Sequence, residues 1–307
     1  MPVIETSGLS KSYGKTVAVD GLDVTVERGQ VFGFLGPNGA GKTTTIGMLM
    51  GIITPTEGSF RLLGSNSQSE LQKARLRVGA TLEQPNFYPY LSCRDNLKLV
   101  ARVKGAEPSQ IDEVLETVGL AGRQKTKFGA CSLGMKQRLA LGATMLGKPD
   151  LLVLDEPANG LDPEGMREIR EIILRLADQG TTIFLSSHLM WEVERTCTHV
   201  AILRHGRVVR QATVAELTDG EGAIAMLRAE DAAMLQARIA DYPAAGHVDR
   251  DGDVVRATVE DGDLAALNRW LSDRDIYLSH LSLTQRTLEE AFLEATEADN
   301  AGMGDIE

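Results

Sequence analysis

The chain has 307 residues, of which 43% are hydrophobic and 24% are charged, a composition typical of a protein with a buried core and unlike that of a disordered chain. No apolar run reaches the ~18 residues that a membrane-spanning helix needs, and the N-terminus lacks the pattern of a signal peptide. The three cysteines are odd in number and far apart, which predicts neither a disulfide framework nor a zinc site. We therefore expect a cytosolic chain without a membrane anchor of its own.

The formal net charge of −11 is distributed unevenly. Residues 215–307 contain 21 acidic side chains, seven Arg and no Lys, a net charge of −14, whereas residues 1–214 carry +3. This shift predicts a domain boundary and argues against a broad nucleic-acid-binding surface. The simplest interpretation of the acidic part is a solvated surface that confers solubility.

Strand and helix patterns alternate in the first two thirds of the chain. Alternating or continuous apolar residues predict strands over 2–5, 16–19, 22–26, 31–35, 151–155 and 181–186. Apolar residues at helical spacing predict helices over 46–52, 69–77 and 108–118. Such an alternation predicts an α/β domain, residues 1–217, with a largely parallel sheet.

A different pattern follows a polar linker at residues 218–222. Its predicted elements are, in order, a strand over 223–229, a helix over 231–240, a hairpin over 248–260 around Asp251-Gly252, a helix over 264–271, a strand over 276–283 and a helix over 287–295. The βαββαβ order predicts a small ferredoxin-like α+β domain, residues 223–297. Residues 298–307 are expected to form a frayed, flexible tail.

Residues 36–44 read GPNGAGKTT and follow a predicted strand, which is the context that the pattern G-x-x-x-x-G-K-[ST] requires. Glycines let backbone N–H groups converge on phosphate oxygens at a helix N-terminus, while Lys42 supplies charge and the Thr43 hydroxyl can ligate Mg²⁺. The alternatives are a simple glycine-rich turn or a dinucleotide loop, but the latter would read G-x-G-x-x-G. The predicted phosphate-binding residues are Gly36, Pro37, Asn38, Gly39, Ala40, Gly41, Lys42, Thr43 and Thr44.

Asp155 and Glu156 follow the predicted strand 151–155, at the sheet edge where open α/β sheets bind ligands. Asp155 suits indirect ligation of Mg²⁺, and Glu156 could polarise the water that attacks a γ-phosphate. An apolar strand that ends in two acids is common, so this interpretation depends on the Lys42 loop. Residue chemistry alone therefore predicts a Mg²⁺-dependent nucleoside triphosphatase.

The segment 131–138, CSLGMKQR, completes a set of motifs that resembles the ATP-binding subunits of ABC transporters over residues 3–212. The resemblance implies that residues 36–44 are Walker A, SLGMKQR the signature, LLVLDEP Walker B and residues 158–162 the D-loop. It also implies that Gln84 is the Q-loop glutamine, both a catalytic residue and a Mg²⁺ ligand, and that His188 is the switch histidine. Tyr13 matches the aromatic residue that stacks on adenine. On residue chemistry alone, these last three side chains would more often be structural.

Three phrases resemble the ABC-2 exporter group in particular: SLGMKQR, NGLDP at 159–163 and TLEEAFL at 287–293. That group includes the ATPases of drug, antibiotic-resistance, lantibiotic-immunity and polysaccharide exporters. The signature departs from the usual LSGGQ, because Leu133 replaces the first glycine of the pair and Met135 replaces the glutamine. Ser132 and Gly134 remain, so the hydroxyl and the N–H that reach a partner's γ-phosphate are retained.

The resemblance implies a head-to-tail dimer in which each ATP lies between the Lys42 loop of one copy and Ser132 and Gly134 of the other. Glu156 would then act as the base and His188 would contact the γ-phosphate. The permease must be a separate chain of ABC-2 type, so the expected location is the cytoplasmic face of the membrane.

A candidate permease dock is the segment 85–91, in which Phe87, Tyr88 and Tyr90 are expected to be exposed and to anchor a permease helix. Ordinary loop packing is the alternative.

Other functions stay open at this point. A non-transport ABC ATPase is disfavoured by the single Lys42-type loop, the short 43–131 interval and the acidic balance. A regulatory module that binds a small ligand is disfavoured, because no cluster of polar and aromatic residues in the second domain of this chain indicates a ligand. An importer ATPase is disfavoured because the signature resembles the ABC-2 group.

Overall fold

The structure is a computed structural model that describes residues 2–82, 85–218, 223–259, 263–284 and 287–293. The described residues divide into two units, 2–212 and 213–293. Within the described ranges, no helix combines the length and apolar character needed to cross a bilayer.

The described elements of the first unit are strands and helices that alternate along most of its length. They are β1 (Pro2–Tyr13), β2 (Thr16–Leu22), β3 (Thr25–Glu27), β4 (Val31–Leu35), α1 (Lys42–Leu49), β5 (Glu57–Leu62), α2 (Gln68–Leu76), β6 (Val78–Thr81), α3 (Cys93–Lys104), α4 (Gln110–Thr117), α5 (Leu133–Met145), β7 (Leu151–Asp155), α6 (Pro163–Asp178), β8 (Thr182–Ser187), α7 (Met190–Thr196), β9 (His199–Arg204) and β10 (Arg207–Thr213). Short 3₁₀ helices lie at Ala121–Arg123 and Phe128–Ala130.

The central sheet has the strand order β10-β9-β4-β8-β7-β6. β4 pairs in parallel with β8 and β9, and β7 pairs in parallel with β8 and β6, which confirms the predicted parallel arrangement. Every residue of β4, β7 and β8 is buried, as expected for strands covered on both faces. The ring of Phe184 packs on Phe32 and Phe34 from the neighbouring strand. The carboxyl ends of β4, β7 and β8 therefore meet at one edge of the sheet.

A second sheet makes the unit a mixed α/β structure. It has the order β2-β1-β3, and β5 also pairs with β1; all three pairings are antiparallel. The single strand predicted over 22–26 is interrupted, because the buried Thr6 hydroxyl donates to the Leu22 carbonyl and accepts from the Val24 N–H, both at 2.8 Å. The Thr6 hydroxyl therefore satisfies the Leu22 carbonyl and the Val24 N–H at the interruption between the two strands.

Two of the helices between β6 and β7 are capped by serine side chains. Ser92 caps α3 by accepting from the Asp95 N–H, and Ser132 caps α5 by accepting from the Met135 N–H. The helix predicted over 108–118 is α4, which begins two residues after Pro108. α5 packs against α4, β6 and β7, so its apolar residues cover several sides rather than one stripe.

The described elements of the second unit follow a βαββαβ order after one short helix. They are α8 (Val214–Thr218), β11 (Ala223–Arg228), α9 (Ala232–Ile239), β12 (Ala245–Asp251), β13 (Val254–Val259), α10 (Leu264–Ser272) and β14 (His280–Thr284). The strands form one antiparallel sheet in the order β12-β13-β11-β14, and the predicted hairpin turns at Asp251-Gly252. Its core is made of buried aliphatic side chains from the sheet and both long helices, including Leu227, Val255, Leu235 and Leu267.

The last strand begins later than the predicted residue 276. Three residues after α10 ends, Asp275 lies in the left-handed region at φ 60°, and the Ile276 N–H donates to the Leu271 carbonyl at 3.1 Å, so Ile276 caps the helix and is not part of the strand. The predicted tail at 298–307 lies outside the described residues, as do residues 219–222 of the predicted linker and the end of the helix predicted over 287–295.

Candidate active site

Two glycines of the loop between β4 and α1, Gly36 and Gly41, lie where any side chain would clash with a backbone carbonyl. A Cβ at Gly36 would lie 2.7 Å from the Leu203 carbonyl oxygen, and one at Gly41 would lie 2.5 Å from the Ala18 carbonyl oxygen. Gly41 also has a φ of 99° and precedes α1, which has no side-chain cap. The first N–H groups of α1 are therefore not engaged by a capping side chain and can be directed at an anion.

Lys42 is a buried cation whose charge is balanced inside the protein. Its side chain is only 6% exposed, and its Nζ donates to the carbonyls of Gly36 at 2.7 Å and Pro37 at 3.2 Å. The same Nζ lies 3.2 Å from Oε1 of Glu156. Because a buried charge needs such partners, Lys42 is held beneath the loop and faces the carboxylate of Glu156, which follows β7.

Asp155 and Glu156 are both held by Ser186, which is not among the predicted site residues. The Ser186 hydroxyl donates to Oδ1 of Asp155 at 2.5 Å and accepts from the Glu156 N–H at 3.0 Å. The signal that could have revealed it is the pair Ser186-Ser187 at the end of a buried strand, directly before His188. Glu156 has a φ of 48°, a left-handed conformation that is uncommon for a non-glycine residue and is often found at functional sites.

His188 completes this cluster. Its Nδ1 lies 2.8 Å from Oε2 of Glu156, so one carboxylate contacts a lysine through one oxygen and a histidine through the other. The turn that carries His188 is fixed by Ser187, whose hydroxyl accepts from the Leu189 N–H at 3.0 Å. An Nδ1–H that donates to Glu156 leaves Nε2 as the nitrogen available to a ligand.

The cluster opens into a cleft of about 460 Å³ lined by the Thr43, Asp155 and Glu156 side chains, together with Leu133, Gln137, Asn159 and Gly160. Mg²⁺ is commonly bound through one or two protein oxygens, with substrate phosphates and water as its other ligands. The hydroxyl of Thr43 and the carboxylate of Asp155 fit such a site. Among the described residues, no group of three or more His, Cys, Asp or Glu side chains could hold a metal ion by itself.

The predicted signature residues lie elsewhere in the chain. Ser132 and Gly134 line a second cleft with Asp162, which adjoins the cleft lined by Thr43 and Glu156 because Leu133 and Gly160 line both. A Cβ at Gly134 would meet only an ordinary contact of 3.9 Å. Packing within this chain therefore does not require glycine at that position.

The remaining predicted residues are Tyr13, Gln84 and Phe87. Tyr13 is half exposed at the end of β1, with the Lys11 Nζ 5.1 Å from its ring centroid. Gln84 lies outside the described residues. The expectation that Phe87 is exposed is wrong, because its ring packs edge-on against Phe128 at 5.3 Å and is half-buried.

Tyr88 and Tyr90 are exposed as expected, at 53% and 66%, with ring centroids 5.7 Å apart. The backbone beneath them is fixed by Asn96, which is buried. Its side chain accepts from the Tyr88 N–H at 3.0 Å and donates to the Tyr88 carbonyl at 3.1 Å. The buried Asn96 therefore holds the backbone of Tyr88 in place.

All three cysteines are buried free thiols. Cys131, directly before Ser132, has its Sγ 3.6 Å from that of Cys93. Burial, and next the hydrogen bond with Cys131, raises the pKa of Cys93 to about 12. Burial also raises the pKa of Cys197 far above the ordinary thiol value. Such thiols remain protonated and are poor nucleophiles near neutral pH.

Comparison with known proteins agrees with this geometry. Residues 19–159 match the sequence model of the family described as "ABC transporter". The chain is 38% identical to the bacitracin transport ATP-binding protein BcrA of Bacillus licheniformis, over 95% of this chain and 96% of that protein. It is 35% identical to the daunorubicin/doxorubicin resistance ATP-binding protein DrrA of Streptomyces peucetius, over 95% and 92% of the two chains.

Two solved structures extend the comparison to the fold. An ATP-binding subunit of an ABC transporter has 28% identity and a TM-score of 0.63, covering 70% of this chain and 91% of that one. CbiO1 of Clostridium perfringens, part of the ABC transporter complex cbiONQ, has 26% identity and a TM-score of 0.64, covering 70% and 90%. ABC ATPase subunits bind and hydrolyse ATP and work as dimers with a membrane permease. The glycine loop with its buried lysine, the paired carboxylates and these relatives lead to one conclusion: the chain belongs to the ABC transporter family, as an ATP-binding subunit with ATPase activity.

Proposed function

We propose that this chain powers an ABC-2 type exporter of drugs, antibiotics or other amphipathic compounds, at the cytoplasmic face of the membrane. The observation that carries the proposal is similarity over 95% of the chain to proteins named for bacitracin transport and daunorubicin/doxorubicin resistance. A further relative, 38% identical over 67% of this chain, is the lantibiotic transport ATP-binding protein SrtF of Streptococcus pyogenes. The similarity to BcrA and DrrA extends beyond residue 217 into the second unit, so it is not limited to the ATP-binding fold.

The proposed nucleotide site consists of residues 36–44 with the adenine stacked on Tyr13. The N–H groups of the loop and of the first turn of α1 would bind phosphate oxygens, and Lys42 would add a positive charge. Mg²⁺ would be held by Thr43 and Asp155, with Gln84 as the third protein ligand. When bound, it neutralises phosphate charge.

Glu156 is the proposed general base. Its carboxylate lies next to the cleft and would accept a proton from the attacking water, while the contact between its Oε2 and Nδ1 of His188 orients the imidazole. His188 would then present Nε2 to the γ-phosphate. The contact between Lys42 and Glu156 at 3.2 Å implies that phosphate and carboxylate compete for the same ammonium group.

The second half of each ATP site would come from a second copy of this chain. Ser132 and Gly134 lie at the exposed N-terminus of α5, in a cleft that adjoins the one lined by Thr43 but does not include Thr43 itself. An exposed helix N-terminus with a serine hydroxyl and an unhindered glycine suits the γ-phosphate of an ATP held by a partner. Closure of the dimer would then depend on that phosphate and would end with hydrolysis.

We assign permease docking to Tyr88 and Tyr90, because both rings are exposed and the backbone of Tyr88 is held by Asn96. We also propose that residues 1–217 form the ATP-binding cassette and that residues 223–297 form an accessory domain. The βαββαβ order and the sheet order β12-β13-β11-β14 support a ferredoxin-like topology for the latter.

The test of the proposed function is transport in membrane vesicles. The chain would be co-expressed with the membrane protein encoded beside its gene, and inside-out vesicles would be given doxorubicin or bacitracin with ATP. ATP-dependent accumulation that disappears with Glu156→Gln is the expected result. Accumulation that is the same with and without ATP, or with the variant, would contradict the proposal.

A further inference from the structure

Helix α6 contacts both α5, which begins after Ser132, and α7, which begins after His188. Its N-cap is Asp162, whose side chain accepts from the Gly165 N–H at 2.9 Å. One helix of 16 residues therefore contacts both the signature helix and the helix behind the switch histidine.

An ion pair joins α6 to the signature helix. Nε of Arg138, on α5, lies 3.3 Å from Oε2 of Glu168, on α6. The guanidinium also donates from Nη1 to the Val118 carbonyl at 3.3 Å. Nε is buried and, within the described residues, has no well-aligned hydrogen-bond acceptor, so attraction to Glu168 is what compensates its charge there.

A second, more buried ion pair joins α6 to α7. Nη1 of Arg170 lies 2.9 Å from Oε1 of Glu192, and the two side chains are 18% and 9% exposed. Burial raises the pKa of the Glu192 carboxyl, while the positive charge of Arg170 opposes that effect. Removing one member of such a pair leaves an uncompensated buried charge, so the pair constrains the distance between the two helices.

The two pairs are on opposite sides of α6. Glu168 and Arg170 are two residues apart, and two residues turn an α-helix by about 200°. The solvent-facing pairs on the same helix differ: Arg167 lies 3.9 Å from Glu164 and 3.8 Å from Glu171, and all three side chains are exposed. Exposed pairs of this kind contribute little, which makes Arg167 a matched control.

We propose that Arg138–Glu168 and Arg170–Glu192 are positioning pairs. They make α6 a rigid connection between the start of α5, which carries Ser132, and the Glu156–His188 pair of the same chain. The inference rests on the proposed roles of Ser132, Glu156 and His188. α6 would hold Ser132 of one ATP site at a fixed position relative to Glu156 and His188 of the other. The two sites of a dimer would thereby be linked through each subunit as well as across the interface.

The experiment is a double-mutant cycle on ATP turnover with the purified full-length chain. Glu168→Gln, Glu192→Gln and the double variant would be compared with Arg167→Gln. Each single variant is expected to lower kcat about fivefold or more, which is the lower end of typical coupling between sites, while nucleotide affinity changes less than twofold. Since both pairs act through one helix, the double variant is expected to be little worse than the worse single variant.

Two further variants separate positioning from loss of folding. Arg170→Lys keeps the charge and is expected to retain most of the activity, whereas Arg170→Met should not; circular dichroism would show that each is folded. Multiplicative losses in the double variant, losses equal to those of Arg167→Gln, or equal effects of Arg170→Lys and Arg170→Met would overturn the inference.

The same assay would include Glu156→Gln and His188→Ala. If these two variants retain turnover, the proposed hydrolytic site is wrong. If they lose turnover and the pair variants do not, only the role of α6 fails.

Discussion

Replacing Glu156 by glutamine changes the charge of one group and little else. Glutamine has the same shape, so the backbone at φ 48° and the N–H donation to Ser186 at 3.0 Å are retained. Its amide oxygen can still accept from Lys42, which lies 3.2 Å from Oε1. Its amide nitrogen can donate to Nδ1 of His188, provided that the imidazole proton moves to Nε2.

The loss is therefore expected in the chemical step and not in binding. A positioned general base contributes roughly 10²- to 10⁴-fold to a rate, which corresponds to about 2.7–5.4 kcal/mol at about 1.36 kcal/mol for each factor of ten. We expect kcat for ATP to fall at least about 100-fold, while nucleotide affinity stays within about threefold of the original protein.

Phosphate release at saturating MgATP measures kcat, and a fluorescent ATP analogue measures affinity in the same preparation. Glu171→Gln, an exposed acid on α6, is the matched control and should retain normal turnover. Turnover of Glu156→Gln within about threefold of the original protein would refute the role of Glu156 as base.

Four other outcomes follow from the geometry. Lys42→Ala should reduce ATP affinity more than about tenfold, measured by fluorescent-nucleotide titration, because the loop loses its buried cation; unchanged affinity would contradict the phosphate cradle. Gly41→Ala should also weaken binding, since its φ of 99° and the 2.5 Å approach of a carbonyl force the loop to move; a normal binding constant would show that the loop tolerates the side chain. Tyr88→Ala with Tyr90→Ala should leave ATPase activity of the isolated chain intact and prevent co-purification with the permease, and intact co-purification would exclude the docking role. Cys93, with a pKa raised to about 12, should resist iodoacetamide at pH 8 and react only as pH approaches that value or after unfolding, as mass spectrometry would show; rapid labelling of folded protein would contradict its protonated, buried state.

The parts of the site that the sequence predicts are those encoded locally. The glycine loop, Lys42 and the carboxylates after β7 all lie within short segments in which strand, turn and helix signals are contiguous. Because the carboxyl ends of parallel strands meet at one sheet edge, their convergence could also be predicted.

Contacts between distant segments could not be predicted from local patterns. Ser186 supports Asp155 and Glu156 across the pairing of β7 with β8. Phe87 was expected to be exposed because the packing partner of its ring, Phe128, belongs to a different segment.

Some errors in the predicted elements also have physical causes. α5 was not predicted because it packs against several neighbours and so lacks a single apolar stripe. β14 begins at His280 and not at the predicted residue 276, because an alternating pattern does not distinguish a strand from the capped end of α10 at Ile276.

The central claim is that each ATP site is completed by a second copy of this chain. Light scattering of Glu156→Gln, with and without MgATP, tests it most directly. With MgATP we expect a particle of twice the 33.2 kDa chain mass that retains nucleotide, and Ser132→Arg should abolish this doubling. A mass of 33.2 kDa under both conditions, with ATP bound, would contradict the claim that pairing depends on the nucleotide.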